Sequence, residues 1–214
     1  MLKNIKGAIF DLDGTLVDSM WVWRQIDEDY LNSKGYSVPE KLNSEICHLS
    51  FTQTAHYFKE RFNLSDSIDT ILDDWNKLAY DHYSNNVKLK EGAKVFLDKL
   101  KSNNIKIALA TSNSYALLET CLKNNDIYEY FDSITTTDEV SNGKNCPDVY
   151  LLAAKKINVR PEECIVFEDI LPAINGAKAA NMTVVAVHDE HSEGELDEII
   201  KSSDKYINSY FDLI

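Results

Sequence analysis

Four short stretches of the chain are mostly apolar without alternation and are followed at once by polar or turn residues: Ile5 to Phe10, Ile105 to Ala110, Cys164 to Phe167 and Met182 to Val187. A run without alternation predicts a strand covered on both faces, as in a parallel sheet. Between and after them the apolar spacing changes to that of helices. Gly92 to Ser102 carries Val95, Phe96 and Leu100, and Ser114 to Lys123 carries Leu117, Leu118, Cys121 and Leu122. Pro147 to Ile157 and Pro172 to Ala180 have the same character, each with a proline at its start. Strand and helix in alternation predict a doubly wound α/β domain.

Residues from about Asp18 to Asn86 break the alternation. They offer only helices, over Trp21 to Ser33, Thr52 to Phe62 and Ser67 to Tyr83, and read as a helical insert after the first strand. The expected organisation is therefore a core of residues 1–16 and 87–214 with a helical cap of residues 17–86. The acidic stretch Asp189 to Glu198 reads as a solvated loop leading into a helix.

Composition narrows the function. In 214 residues, 44% are hydrophobic and 27% charged, which is enough apolar material for a sizeable core. The formal net charge of −13 repels a polyphosphate backbone, so nucleic acid is excluded as a partner; a small anionic substrate would need a local positive site. The four cysteines, Cys47, Cys121, Cys146 and Cys164, have no spacing that suggests zinc or a redox pair. Met1 to Lys6 has no apolar run behind its lysines and no apolar run elsewhere reaches membrane length, so a cytoplasmic chain without membrane contact is expected. No coiled-coil or strongly apolar surface segment is evident, and a monomer is expected.

The chemistry gathers at the strand ends, where ligands bind in open α/β sheets. The first strand runs into Asp11-Leu12-Asp13-Gly14-Thr15, two carboxylates separated by one residue, with a glycine that permits a tight turn. One carboxylate is positioned to attack while the other moves protons. The second strand runs into Thr111-Ser112-Asn113 and a helix, a setting that suits phosphate. Lys144 precedes another helix and is placed to neutralise a phosphate and a carboxylate together. The third strand runs into Glu168-Asp169, two adjacent carboxylates that are costly to juxtapose without a cation. Magnesium prefers such oxygen ligands, and Asp11 and Asp169 are candidates to supply them.

In these four elements the chain resembles the haloacid dehalogenase-like hydrolase superfamily, over nearly its whole length. The family's DxDGT motif matches Asp11 to Thr15, its Ser/Thr motif matches Thr111, its lysine matches Lys144, and its acidic pair matches Glu168-Asp169. The resemblance implies a Rossmann-like parallel-sheet core with an α-helical cap and a Mg²⁺-dependent phosphatase acting on a small phosphate ester. It implies Asp11 as nucleophile and Asp13 as general acid and base. Mg²⁺ would be held by Asp11, the Asp13 carbonyl, Glu168 and Asp169. Gly14, Thr15, Thr111, Ser112, Asn113 and Lys144 would surround the phosphoryl group. The related β-phosphoglucomutases have a cap histidine where Trp23 stands and a cap arginine where Phe51 stands, so hydrolysis is expected rather than mutase chemistry. Trp23, His48 and Phe51 are the expected wall of the leaving-group pocket. A catalytically inactive binding protein is the remaining alternative, and retention of Asp11, Asp13, Lys144 and Asp169 argues against it.

Overall fold

In the computed structural model, which describes residues 4–214, six parallel strands form one sheet in the order β5-β4-β1-β6-β7-β8. They are β1 (Gly7–Phe10), β4 (Lys106–Thr111), β5 (Ser133–Thr136), β6 (Cys164–Glu168), β7 (Thr183–Val187) and β8 (Lys205–Ile207). The two remaining strands, β2 (Val17–Asp18) and β3 (Lys88–Leu89), form a separate antiparallel ribbon. From β1 the chain steps outward on one side of the sheet to β4 and β5, then crosses back to β6 on the other side. The carboxyl end of β1 therefore lies at the switch in direction, where such sheets form crevices.

The continuous apolar runs are explained by the two faces of this sheet. Phe10, Leu109, Phe167 and Val185 point into one apolar cluster with α5 (Ala93–Ser102) and α6 (Tyr115–Asn124). Ile9, Ala108, Val166 and Val184 point into the other, with α7 (Asp148–Lys156), α8 (Leu171–Ala179) and α9 (Leu196–Ser202). Both faces are dry, so alternation is absent from the sequence. Phe10 and Phe167, register partners on adjacent strands, stack at 4.4 Å.

Four helices lie between the ribbon strands: α1 (Met20–Ser33), α2 (Leu42–Ile46), α3 (Phe51–Arg61) and α4 (Ile68–Asn85). Their own core is aromatic: Phe58, Tyr30 and Phe51 all pack edge-on or tilted around Trp75 within 6 Å. Ser50 starts α3 with a reciprocal capping box through Gln53, and Ser67 caps α4 through Thr70. The apolar side of α4 also packs on α6, so one apolar cluster runs from the insert into the core.

The sequence expectations hold for the central strands and the long helices, with end shifts of one or two residues. The elements the pattern did not reveal are β5, β8, α2 and the β2–β3 ribbon. The stretch expected to be a solvated acidic loop is partly buried: Asp189 is 7% exposed and pairs with Lys90 at 2.8 Å, and Ser192 is also buried. Residues 1–3 of the N-terminal stretch read above lie outside the described residues.

Candidate active site

Asp11, Thr111 and Glu168–Asp169 meet at the carboxyl edges of β1, β4 and β6, as neighbouring parallel strands must bring them. Lys144 reaches in from the loop before α7. Its Nζ lies 2.5 Å from Asp11 Oδ1 and 2.7 Å from Glu168 Oε1, and it is 2% exposed. Asp11, Glu168 and Asp169 each offer an oxygen within 4.8 Å of the others, and two of these three buried carboxyls share the Lys144 ammonium. Burial raises the Asp11 carboxyl well above its usual range; Lys144 opposes the shift, while Glu168, Asp169 and Asp13 add to it. Burial, with Glu168 and Asp189 nearby, pushes Asp169 up to about 7. For Lys144 burial pulls downward, but the Asp11 and Glu168 carboxylates more than reverse it and keep the ammonium charged.

Glu168 takes a second donor, the Tyr150 hydroxyl, at 2.8 Å on the same Oε1, and its buried Oε2 has no partner among the described residues. An unpartnered, buried carboxylate oxygen beside two further carboxyls is expensive for a protein alone. The donor set is entirely oxygen, which suits a hard divalent cation.

The glycine and threonine of the DxDGT stretch serve Asp169. Gly14 has φ +76°, and a Cβ there would stand 2.3 Å from Asp169 Oδ2. Thr15 Oγ1 donates to Asp169 Oδ1 at 2.9 Å. The sequence reading placed both on the phosphate; neither lines the cavity, because their positions are taken by this carboxyl.

Asp13 stands apart from the three-carboxyl cluster. Its Oδ1 accepts from Ser19 Oγ at 2.6 Å and from the Tyr83 hydroxyl, and its Oδ2 accepts from Asn113 Nδ2 at 2.8 Å. Burial, and then Asp13 itself, hold the Tyr83 phenol well above its ordinary value, so it remains a donor. Asn113, expected to hold phosphate, thus has its side-chain amide engaged by Asp13 and Tyr83, while its Oδ1 accepts from the Ser114 N–H. Ser112 is different: its hydroxyl is buried, has no partner and lines the cavity.

The cavity has a volume of about 160 Å³ and runs from Asp11, Thr111, Ser112 and Lys144 into the helical insert. Trp23 and Phe51 line it as expected. His48 does not; its contribution is its backbone carbonyl, which accepts from the Lys144 N–H at 2.9 Å. Gly143 makes that approach possible, since a Cβ there would lie 2.1 Å from the same carbonyl oxygen. Ser19, Tyr83, Tyr150, Asp27 and Trp75 were not singled out from the sequence.

Residues 8–187 match the haloacid dehalogenase-like hydrolase family. A phosphorylated carbohydrates phosphatase of Thermotoga maritima is 30% identical, over 83% of this chain and 82% of that protein. A bifunctional riboflavin kinase/FMN phosphatase of Arabidopsis thaliana is 30% identical over 99% of this chain, which spans only 55% of that longer protein. Among solved structures, β-phosphoglucomutase from Clostridium difficile superposes with a TM-score of 0.82 at 25% identity, covering 98% of this chain and 93% of that one. The doubly wound sheet with acidic strand ends places the chain in the α/β class with a site at the switch in strand direction. Within that class the chain belongs to the haloacid dehalogenase-like hydrolases.

Proposed function

We propose that this chain is a magnesium-dependent phosphatase of small phosphate monoesters that works through a phosphate bonded to Asp11. The observation that carries the reading is the separation of the first-motif carboxyls. Asp11 stands with Lys144, Glu168 and Asp169, whereas Asp13, two residues on, is held by Ser19, Tyr83 and Asn113. One is set for attack and the other for proton transfer.

Asp11, Glu168, Asp169 and the Asp13 carbonyl would hold Mg²⁺, and the unpartnered Glu168 Oε2 supports that fit. Bound there, the ion supplies positive charge against the phosphoryl oxygens. An Asp11 oxygen bonds to phosphorus as the ester P–O bond breaks, and the Asp13 carboxyl gives its proton to the departing alkoxide. Water then attacks the phosphorus while Asp13 takes its proton, the Asp11–phosphorus bond breaks, and inorganic phosphate leaves with the Asp11 carboxylate restored. The Ser112 hydroxyl and Lys144 bind the transferring oxygens. The Tyr83 hydroxyl orients Asp13 from the insert, which we take as a cap of residues 17–86 on a core of residues 1–16 and 87–214. The β2–β3 ribbon at their junction supports those boundaries.

Hydrolysis is favoured over mutase chemistry because no lysine or arginine lines the insert's part of the cavity, so a second phosphate has no partner there. Four free cysteines fit a reducing, cytoplasmic setting, and no helix among the described residues is long and apolar enough to cross a membrane. Turnover of p-nitrophenyl phosphate that requires Mg²⁺ tests the reading; a chain that binds phosphate without metal-dependent turnover would be a binding protein instead.

Two variants test the parts. Asp13→Asn is expected to lower kcat by about 10²–10⁴ while the affinity for inorganic phosphate stays within about threefold; loss of phosphate affinity in calorimetry would make Asp13 structural. Thr15→Val is expected to weaken Mg²⁺ binding about 10–100-fold, because Asp169 loses the hydroxyl that orients it. Weaker phosphate binding with unchanged Mg²⁺ affinity would instead place Thr15 on the phosphate.

A further inference from the structure

The insert's half of the cavity has a make-up that phosphate recognition does not explain. Trp23, Phe51 and Trp75 line it and meet edge to face, with ring centres 5.8 Å apart for Trp23–Phe51 and 5.6 Å for Phe51–Trp75. Met20 and Ile46 complete an apolar wall. Asp27, Asn43, Cys47 and Thr54 are its polar lining residues. Asp27, on α1, is half-buried, and its carboxyl makes no hydrogen bond or ion pair with any described residue. Trp75, 2% exposed, has a buried indole N–H with no acceptor. Among the described residues, the only lysine or arginine along the cavity is Lys144, already engaged by Asp11 and Glu168.

A carboxyl among aromatic rings without a counter-charge is costly, and burial pushes Asp27 up to about 7. A carboxylate or phosphate on the leaving group would make this worse. A cation relieves it twice, by pairing with the carboxylate and by lying against the electron-rich ring faces. Size sets the other limit. About 160 Å³ is close to the roughly 150 Å³ of an engineered cavity that holds one benzene, and the phosphoryl group occupies part of it. A short chain fits within it.

Resting on the phosphatase reading above, we infer that the leaving group is a short amino alcohol, its ammonium held by Asp27 and the ring of Trp23. Asp27 is thus the specificity-determining residue, and it discriminates by charge.

The test uses the full chain with Mg²⁺ and esters matched in length. O-phosphoethanolamine is compared with propyl phosphate, in which methyl replaces ammonium, with 2-hydroxyethyl phosphate, and with 2-phosphoglycolate, whose leaving group is anionic. The ammonium ester is expected to exceed propyl phosphate in kcat/KM by at least about tenfold, with the anionic ester slowest. In Asp27→Asn that ratio is expected to fall to near one, and Asp27→Ser gives the same readout if the first variant does not fold. Equal or better turnover of the propyl or hydroxyethyl ester by the wild-type enzyme overturns the inference, as does a ratio unchanged in the variants. These results are read alongside p-nitrophenyl phosphate: turnover of that ester without an ammonium preference sinks this inference alone, whereas no turnover of any ester sinks the phosphatase reading with it.

Discussion

Asp11→Asn is expected to lower phosphatase turnover by roughly 10⁴–10⁶-fold, the scale on which loss of a nucleophile acts, while leaving the protein as stable as before or more so. The two halves of this expectation have one cause. An amide oxygen can still accept from Lys144 at the 2.5 Å contact, so the local geometry is retained. What disappears is a carboxyl that burial and three neighbouring carboxyls hold well above its ordinary value. Such a group is maintained at a cost in stability because the reaction needs it. Turnover of p-nitrophenyl phosphate with Mg²⁺, and thermal unfolding of the metal-free protein, check both halves. Near-normal turnover in the variant would remove Asp11 as nucleophile. Full loss of turnover with a large drop in melting temperature would mean that the charge serves the fold instead.

How much of this was legible beforehand follows from where each group gets its partners. Strands β1, β4, β6 and β7 were readable because both faces are buried and every residue between Ala8 and Phe10, or between Ile107 and Ala110, is apolar. Ser133–Thr136 and Lys205–Ile207 occupy the sheet edges, where one neighbour suffices and polar residues are tolerated, so no apolar run announces them. The reactive carboxyls were readable because a strand end fixes where the next residue points. Their supports were not. Thr15 bonds Asp169, 154 positions away, and a motif cannot state which partner a hydroxyl will choose. Tyr83 has the same helical spacing as Trp75 and Ala79, and only its hydroxyl, at the last turn of α4, separates an Asp13 partner from a core residue. Asp27 sits between Ile26 and Glu28 in a charged helix and reads as solvated until the opposing aromatic wall is in place. Sequence pattern reports what a residue is buried by its own element; it does not report what a distant element brings to it.

Lys144→Met is expected to destabilise the metal-free protein by about 3–5 kcal/mol, the cost of leaving a buried partner uncompensated, as well as to remove turnover. Methionine keeps the length and apolar stem of lysine, so the effect isolates the charge. Two carboxyls, Asp11 and Glu168, lose their shared ammonium in a site where Lys144 itself is 2% exposed. Burial already raises both carboxyls in the wild type with Lys144 opposing it, and without the ammonium they rise further. The sign of the pH dependence follows. A carboxyl whose folded-state value lies above its unfolded value favours the native state below the unfolded value and loses that contribution as pH climbs through the folded one. The deficit of the variant is therefore smaller near pH 4, at about the unfolded carboxyl values, and largest above neutrality. Urea unfolding of both proteins from pH 4 to 8 measures it, and Mg²⁺ added at pH 8 is expected to restore part of the loss by supplying the missing charge. A deficit that does not change with pH would mean that Lys144 does not stabilise through its charge.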